Sequence, residues 1–436
     1  MSGTPEMTEK AKAPSGTAPN AAPSPRYEPA VSKREKTIAP RGLRRAFSLD
    51  DFEAAARRYL PKPVFGYVAG AAETGRSFAA NRSDFAAIGF VPNALQGHVD
   101  RSQKTTLFGR QYDRPFGIAP MGLSALAAYD GDVVLARAAA ERGTLAVMSA
   151  TSLTSLERVA SEAGSRWFQA YFPGDKDRVL GMTDRIAQAG FETLVVTVDV
   201  AVNGNRETDL HNGFATPLKP TPRLAWQGIT HPEWLWNTAF RTLRTHGMPH
   251  FENLDVDRGP PILARDLIRS FSGREQLKWD HVEAARDRWK GNFVLKGVLS
   301  PRDVERARAI GCDGVIVSNH GGRQLDGAVS AISTLPRVLD AAGDMTVMLD
   351  SGVRRGTDVL KALALGAQFV FVGRPMLYAA AVAGAPGVRY AIDLLSAEID
   401  RNMALLGIAG TSEMTQDLLA MPDVGLSHRM TTGQHP

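Results

Sequence analysis

Short apolar runs recur along most of the chain and set the period of its predicted secondary structure. Eight of them have the length and composition of strands buried on both faces: FGIAP, LAVMS, WFQAY, TLVVTVD, FVLKG, DGVIVSN, TVMLDS and QFVFVG. Most are separated by stretches of helical spacing, such as DVVLARAAAERG and GTDVLKALALG, which tend to open on Ser, Thr or Asp and close on Gly. Eight strand–helix units over roughly 270 residues predict a closed (β/α)8 barrel, the TIM barrel.

An open, doubly wound sheet is the alternative arrangement of the same units. Such a sheet would normally carry a Gly-rich turn of the form G-x-G-x-x-G after its first strand. The corresponding stretch, FGIAPMGLSA, is a poor match to that pattern. We therefore favour the closed barrel.

The two ends of the chain lack this period. The first 45 residues are rich in Pro, Ala, Ser, Thr and Lys, which is typical of a disordered tail. Order is predicted to begin at Ser48, which could cap a helix that ends at Tyr59, and a second short helix carries Tyr67. The predicted organisation is a disordered tail at 1–45, a barrel domain at 46–420 and a polar, frayed tail at 421–436.

One connection, after the fourth strand, is far longer than an ordinary crossover. We place an insertion at about residues 207–290 within it. Its segment THPEWLWNTAFRTLRTHG has Trp236, Phe240 and Leu243 at helical spacing. Such a stripe could rest on a membrane or a partner through residues 207–260. We favour the other interpretation, in which the insertion covers the barrel mouth and packs its aromatic side chains on the protein.

Composition narrows the classes of function. The net charge of +5 is weakly compatible with anionic ligands, but no basic motif with interleaved aromatic residues predicts nucleic-acid binding. The single cysteine, Cys312, excludes an internal disulfide and a cysteine-based metal cluster, and we expect a buried, inert thiol. We find no transmembrane run and no signal peptide, and we expect no metal. A cytoplasmic location is predicted, either free or held at the inner face of the cell membrane.

Nearly every predicted strand ends in a polar or ionisable group or a Gly-containing turn. These positions are Pro120, Met121 and Gly122, Ser149, Gln169 and Tyr171, Thr197 and Asp199, Lys296, Ser318 and His320, Asp350, and Gly373 with Arg374. Because the C-terminal ends of TIM-barrel strands converge on one mouth, this pattern predicts a site. In SNHGGR, His320 and Arg323 place a base beside a fixed cation, which suits proton transfer on an anionic substrate. The alternative is an ordinary strand-terminal turn.

Two Gly-Arg turns predict a phosphate site. DSGVRRG follows the seventh strand with Gly352 and Arg354, and VGRP follows the eighth with Gly373 and Arg374. Backbone N–H groups in such turns bind phosphate beside a guanidinium, and TIM barrels commonly place phosphate there. Lys296 closes the strand FVLK and is either a Schiff-base former or a fixed cation beside an electron-rich group.

From about Ser48 to Leu419 the chain resembles the FMN-dependent L-2-hydroxy-acid oxidases and dehydrogenases. This family includes glycolate and lactate oxidases, mandelate and L-lactate dehydrogenases, and flavocytochrome b2. SNHGGRQLDG is similar to the family's active-site signature, and LDSGVRRGTDVLKALALGA and VGRP are similar to its phosphate-binding turns. The resemblance implies FMN, oxidation of an L-2-hydroxy acid to the 2-oxo acid, oxygen or a quinone as electron acceptor, and a homotetramer.

The resemblance also implies roles for the motif residues. His320 would be the base, oriented by Asp199, and Tyr171 would hydrogen-bond the substrate hydroxyl. Lys296 would stabilise negative charge on the reduced flavin, which favours the fixed cation over the Schiff base. The substrate carboxylate would be held by Arg323 and Tyr67, with Arg206 as an additional cation. The implied FMN contacts are Pro120, Met121, Gly122, Ser149, Gln169, Thr197, Lys296, Ser318, Asp350, Gly352, Arg354, Gly373 and Arg374.

The chain departs from the family pattern around the substrate. Met121 stands where a Thr is common, Ala150 and Thr151 occupy the stretch where glycolate oxidase has a Trp, and VAVNGNR replaces the frequent TPRLGRR. These changes leave the substrate's side chain open. The insertion is similar to that of bacterial L-lactate dehydrogenases, and in the related mandelate enzymes this region attaches to membranes. A redox-neutral FMN isomerase and a non-catalytic flavin-binding protein are the alternative functions.

Overall fold

Eight parallel strands form the sheet that the apolar runs predict. A computed structural model describes residues 39–214, 221–264 and 273–421, together with Met1. The strands are β1 (Phe116–Ile118), β2 (Val147–Ser149), β3 (Trp167–Ala170), β4 (Thr193–Thr197), β5 (Asn292–Val298), β6 (Gly314–Val317), β7 (Thr346–Leu349) and β8 (Phe369–Val372). Apart from Met1, the described residues belong to one compact unit, Thr37–Pro436.

The order of the strands closes the sheet into a barrel. Neighbours run β1-β8-β7-β6-β5-β4-β3-β2, and every pair is parallel. The Ile118 N–H donates to the Leu145 carbonyl at 2.9 Å, and Ile118 bridges Ala146, so β1 also meets the segment that leads into β2. The predicted TIM barrel is confirmed, and the open sheet is wrong.

A helix follows each strand. These helices are α1 (Gly131–Glu141), α2 (Leu156–Ala163), α3 (Lys176–Gln188), α4 (Trp279–Arg288), α5 (Pro301–Ala309), α6 (Ala331–Ala342), α7 (Gly356–Ala364) and α8 (Arg374–Leu406). Polar residues start several of them: the side chains of Ser155, Asp175 and Ser330 accept backbone N–H groups of the first turns of α2, α3 and α6. Non-helical backbone at Ala383 and Gly384 divides α8 in two.

The core has two layers because each strand is buried on both faces. Inside the barrel, Val195, Val294, Ile316 and Met348 belong to one apolar cluster. A hairpin of Thr105–Leu107 and Arg110–Tyr112 adds Leu107 and Tyr112 to that cluster at the N-terminal ends of the strands. The outward-facing strand residues pack under the helices. With the N-terminal end filled, the C-terminal end is left to carry a site.

The chain before the barrel is ordered earlier than predicted. Helices span Arg41–Leu43 (3-10), Asp51–Tyr59, Lys62–Ala69 and Arg76–Ala87. Leu43 is buried, so the expectation that order begins at Ser48 is wrong by several residues. The cap also differs, since the Asp51 carboxylate accepts the N–H groups of Phe47 and Ser48 at 2.9 Å. Residues 2–38 of the predicted tail, and 422–436 of the C-terminal tail, lie outside the described residues.

The remaining elements of the described residues are short. They are helices at Ser124–Ala127, Thr411–Glu413 and Gln416–Leu418, and a strand pair of Gly89–Phe90 with Leu419–Ala420. In the described parts of the insertion the helical segments are Glu207–Asn212, Pro222–Ile229, Pro232–Trp234, Leu235–Phe240 (a π-helix), Arg241–His246 and Arg274–Gln276 (3-10). The insertion ends before residue 279, earlier than predicted, because Trp279–Arg288 is α4 and packs on α3.

The apolar stripe of the insertion points away from the protein. Trp236, Phe240 and Leu243 are 60%, 46% and 48% exposed. On the other side of the same segment Thr238 is buried, and the indole N–H of Trp234 donates to the Leu126 carbonyl at 2.8 Å. The expectation that these aromatic side chains pack on the protein is therefore wrong for the stripe. Within the described ranges, no helix is both long and apolar enough to cross a membrane.

Candidate active site

A cavity of about 740 Å³ lies at the C-terminal ends of the barrel strands. The predicted residues that line it are Tyr67, Pro120, Met121, Gly122, Tyr171, Arg206, Lys296, His320, Arg323, Asp350, Gly352, Arg354, Gly373 and Arg374. The other predicted FMN contacts, Ser149, Gln169, Thr197 and Ser318, are buried at the ends of β2, β3, β4 and β6. The barrel thus brings residues from almost the whole chain to one end.

His320 lies between a carboxylate and a phenol. Its Nδ1 is 2.9 Å from Asp199 Oδ1, and its Nε2 is 3.5 Å from the Tyr171 hydroxyl. Burial lowers the pKa of His320 below its ordinary value, although the Asp199 carboxylate acts in the opposite direction. A neutral imidazole with Nδ1–H directed to Asp199 leaves Nε2 as a free base toward the cavity.

His320 and the two glycines after it form a turn in the left-handed region of backbone conformation. The φ values of His320, Gly321 and Gly322 are 58°, 64° and 73°. Their N–H groups donate to Ser318 Oγ, Ser351 Oγ and Asn319 Oδ1 at 3.0, 3.0 and 3.1 Å. A Cβ on Gly322 would lie 2.5 Å from the backbone nitrogen of Phe78, so both space and φ require glycine there.

Lys296 and Asp350 form a buried ion pair beside this turn. Lys296 Nζ is 3.0 Å from Asp350 Oδ2, and both side chains are almost fully buried. Burial alone would lower the pKa of Lys296, but the Asp350 and Asp199 carboxylates raise it above its ordinary value. Burial alone would likewise raise the pKa of Asp350, which Lys296 holds below its ordinary value. Both groups are therefore charged at neutral pH.

Two arginines share the same backbone carbonyls. Arg323 Nη1 donates to Val68 O at 3.4 Å and to Gly70 O at 3.0 Å. Arg374 donates through Nε to Val68 O at 3.0 Å and through Nη2 to Gly70 O at 2.8 Å. These bonds fix the C-terminal end of the helix that carries Tyr67, over whose ring the Arg323 guanidinium lies at 5.0 Å. Both arginines can therefore order the Tyr67 side chain, which lines the cavity.

Burial and neighbouring positive charges destabilise the charged forms of Arg323 and Arg374. Burial, with Arg206 nearby, lowers the pKa of Arg323 to about 10. Burial, with Arg323 and Arg354 nearby, lowers the pKa of Arg374 to about 9. Arg323 Nη2 is buried without a hydrogen-bond partner among the described residues. Cations gathered in this way are stabilised by anionic groups of a ligand.

The two Gly-Arg turns meet at the starts of α7 and α8. Arg354 is buried, and its backbone N–H donates to Asp358 Oδ2 at 2.9 Å, which fixes the turn before α7. Gly352 has a φ of 88°, and a Cβ there would lie 2.1 Å from Asn81 O. Gly373 lines the cavity, where an added Cβ would have only ordinary contacts. Buried guanidiniums beside helix N-termini and a glycine backbone suit a phosphate group.

The structure adds cavity residues that the sequence did not single out. Arg274 is buried, with its guanidinium 4.5 Å from the centre of the Tyr171 ring. Asp209 lines the cavity, and burial raises its pKa although Arg323 and Arg206 oppose this. No sequence pattern marks Arg274, which lies in the insertion, whereas Ser351 in the DSG turn could have been noticed. The thiol of Cys312 is buried, with its pKa raised to about 12 by burial, as predicted.

Comparisons with known proteins identify the family of the chain. The family model for FMN-dependent dehydrogenases matches residues 56–421. An L-lactate dehydrogenase from Caulobacter sp. (strain K31) is 38% identical over 385 residues, which cover 86% of this chain and 99% of that protein. An L-lactate dehydrogenase from Ectopseudomonas mendocina (strain ymp) is 38% identical over 374 residues, 85% of this chain and 97% of that protein.

Solved structures give the same result. A monotopic membrane protein, (S)-mandelate dehydrogenase, has a TM-score of 0.79 and 36% identity, covering 86% of this chain and 99% of its own. A mandelate oxidase with (S)-2-phenylpropionate has a TM-score of 0.70 and 35% identity, covering 86% and 98%. The resemblance stated from the motifs is confirmed.

The residues present fit the cofactor that this family requires. The buried Arg354 and the half-buried Arg374 at glycine-containing turns suit its phosphate, and the buried charge of Lys296 suits the electron-rich edge of its ring. Thr197 Oγ1 is a buried hydroxyl with no partner among the described residues, and it offers a contact at the end of β4. With the motifs, the fold and the matched relatives in agreement, the chain belongs to the family of FMN-dependent dehydrogenases that act on 2-hydroxy acids.

Proposed function

We propose that the protein oxidises an L-2-hydroxy acid, lactate- or mandelate-like, to the 2-oxo acid. The observation that carries this proposal is the position of His320 Nε2. This atom faces the cavity beside the Tyr171 hydroxyl, while Asp199 holds the opposite nitrogen. The same cavity contains Arg323 and Arg206, which suit a carboxylate.

The carboxylate is held by cations on one side of the cavity. Arg323 presents a guanidinium whose Nη2 has no described partner, and Tyr67 lies under that guanidinium. Arg206 is itself fixed, since its Nη2 donates to Gln324 Oε1 at 3.0 Å. A planar fork held in this way binds a carboxylate through two hydrogen bonds and orients C2 of the substrate. Tyr171 hydrogen-bonds the substrate hydroxyl.

His320 takes the proton. Its lowered pKa keeps the imidazole neutral at the start, and Asp199 stabilises the imidazolium that forms. The proton comes from the hydroxyl in a hydride mechanism or from the α-carbon in a carbanion mechanism, and the same base serves both. The substrate loses two electrons and two protons in total, and FMN, when bound, supplies the two-electron acceptor.

Lys296 is a fixed cation in this proposal. An amine held in an ion pair at 3.0 Å, with its pKa raised, stays protonated and is a poor nucleophile. It would therefore stabilise negative charge at the edge of a bound flavin, and it would not form a Schiff base. A redox-neutral isomerase would have less use for a neutral base beside a carboxylate clamp.

The electron acceptor is oxygen or a quinone, and the assembly is a homo-oligomer.

The test is anaerobic mixing of FMN-loaded enzyme with a panel of L-2-hydroxy acids, followed by loss of flavin absorbance. We expect wild type to bleach and His320→Gln to bleach at least about a hundredfold more slowly, which is the scale of lost general-base catalysis. His98→Gln, an exposed histidine, is the matched control and should bleach normally. Near wild-type bleaching by His320→Gln would exclude the proposed base. No bleaching of wild type by any acid would favour the non-catalytic or isomerase alternatives.

We also propose peripheral membrane contact through residues 207–260. The apolar stripe of Trp236, Phe240 and Leu243 is exposed, and Trp226 and Ile229 in the preceding helix are each 63% exposed. A run of exposed large apolar side chains on one segment is unusual for a surface that faces only water. The (S)-mandelate dehydrogenase with the same fold is itself described as a monotopic membrane protein.

A further inference from the structure

The Ser318 hydroxyl hydrogen-bonds both members of the Lys296–Asp350 pair and the backbone of His320. It donates to Asp350 Oδ2 at 2.8 Å, and it accepts from Lys296 Nζ at 3.0 Å and from the His320 backbone N–H at 3.0 Å. The same oxygen also lies 3.3 Å from Ser351 Oγ, a longer contact than the other three. Ser318 is 0% exposed, so water cannot replace any of these bonds.

The conformation of the active-site turn depends on the hydrogen bond made by the His320 backbone N–H. A non-glycine residue with a φ of 58° is strained, and it keeps that conformation only when its surroundings fix it. Fixing comes from three side-chain oxygens, of Ser318, Ser351 and Asn319. Of these three side chains, only Ser318 has described hydrogen bonds both to the Lys296–Asp350 pair and to the His320 backbone.

We propose that Ser318 is a positioning residue that couples the Lys296–Asp350 ion pair to His320. A change of charge beside Lys296 alters the strength of its hydrogen bond to the Ser318 hydroxyl. Because the same hydroxyl accepts the His320 backbone N–H, that change reaches the backbone that orients the imidazole. In the reverse direction, the hydroxyl keeps Lys296 and Asp350 from neutralising each other fully. The proposal rests on the proposed function for the role of His320 as the base.

Loss of the hydroxyl has a predictable direction for each partner. Without it, Asp350 loses a donor and Lys296 loses an acceptor, so the two ions draw closer and Lys296 stabilises a reduced flavin less. His320 loses its backbone anchor, and its 2.9 Å bond to Asp199 loosens. Asp199 raises the pKa of His320, while Lys296 and Arg206 lower it, so a loosened bond moves its titration to lower pH.

The experiment compares FMN-loaded wild type, Ser318→Ala, Ser318→Cys and Ser351→Ala. Three quantities are measured: the rate of flavin reduction by substrate, the flavin midpoint potential, and the pH titration of the His320 imidazole by NMR. We expect Ser318→Ala to reduce flavin about tenfold more slowly or worse, since bonds to charged groups are lost. Its potential should become more negative, and its imidazole should titrate at lower pH.

Two variants keep the test decisive. Ser351→Ala removes the acceptor of the Gly321 N–H and the 3.3 Å contact with Ser318 Oγ, but no hydrogen bond to Lys296 or Asp350, so its potential should stay at the wild-type value. Ser318→Cys retains a weak donor and acceptor, so its shifts should be intermediate, and it stands in if Ser318→Ala fails to fold or bind FMN. Unchanged potential and titration in both Ser318 variants would overturn the proposal, as would equal shifts in Ser351→Ala. The potential and the titration are independent of substrate turnover, so failure of the proposed function is recognised separately.

Discussion

His320 Nδ1 and Asp199 Oδ1 lie 2.9 Å apart although 121 positions separate the two residues in the chain. Asp199 follows β4 and His320 follows β6, and β5 runs between them. Gly297 in β5 makes the approach possible, because a Cβ there would lie 2.4 Å from Asp199 Cγ. The pair thus depends on a glycine in the intervening strand as much as on its own two members.

Asp199→Asn should weaken the base and move its titration. The Asp199 carboxylate raises the pKa of His320 against the effect of burial, so its neutralisation lets that pKa fall further. The acidic limb of the pH profile of flavin reduction should therefore shift to lower pH, and the plateau rate should fall about a hundredfold. Stopped-flow reduction across pH measures both. Asp340→Asn, at an exposed aspartate, is the control, and an unmoved acidic limb in Asp199→Asn would contradict the pairing.

The barrel and the membership of its site could be predicted because the signals are local. Each strand is a short apolar run with a polar residue at its end, and parallel topology alone then gathers those ends at one mouth. No distances were needed to expect Lys296, Asp350 and His320 together. The glycine-containing turns likewise predict a phosphate site, since glycine lets the backbone approach a ligand closely, and this stays a prediction.

The rest could not be predicted because it depends on distant partners. Asn81 and Asn319 exchange two amide hydrogen bonds of 2.8 Å across 238 positions, and neither belongs to a pattern that names the other. Helical spacing showed that Trp236 and Phe240 share a face, but it does not say what that face touches. Arg374 was expected at the phosphate, and only coordinates show that it also donates to three backbone carbonyls.

Asp132 should make stability depend on pH between the ordinary carboxyl range and neutrality. The residue is buried at the start of α1 and accepts the Ser152 hydroxyl, and burial raises its pKa from 3.8 to about 6. A raised folded-state pKa contributes stability that is full below the unfolded value and is lost as pH rises through the folded one.

Asp132→Asn removes that dependence. Between pH 4 and pH 7 the free energy of unfolding of wild type should fall relative to the variant by on the order of 3 kcal/mol, the scale of about two pKa units. Urea unfolding at several pH values measures this difference. The free energy of unfolding of Glu305→Gln, a change at an exposed carboxyl, should vary with pH in the same way as that of wild type. Parallel curves for Asp132→Asn as well would show that the carboxyl keeps an ordinary pKa.

The exposed stripe of the insertion should bind lipid. Replacing Trp236 and Phe240 by serine removes two large apolar side chains that are 60% and 46% exposed and that form an edge-to-face pair at 5.0 Å. Because neither side chain lines the cavity, flavin reduction should be unchanged. Binding to phospholipid vesicles should fall about a hundredfold, since each apolar side chain that enters a bilayer interface is worth about 1.5–3 kcal/mol when fully buried.

A matched control separates this surface from apolar exposure in general. Leu95 is fully exposed in a loop outside the insertion, so Leu95→Ser removes a comparable apolar side chain at a different place. In co-sedimentation with neutral and anionic vesicles, wild type and Leu95→Ser should be found with the vesicles, and only the double variant should stay in the supernatant. Equal partition of all three proteins would show that the stripe does not meet a membrane. Equal binding of all three proteins to anionic vesicles, with none to neutral ones, would assign the attraction to charges such as Arg244, which lies exposed beside Leu243, and would remove the apolar stripe from the explanation.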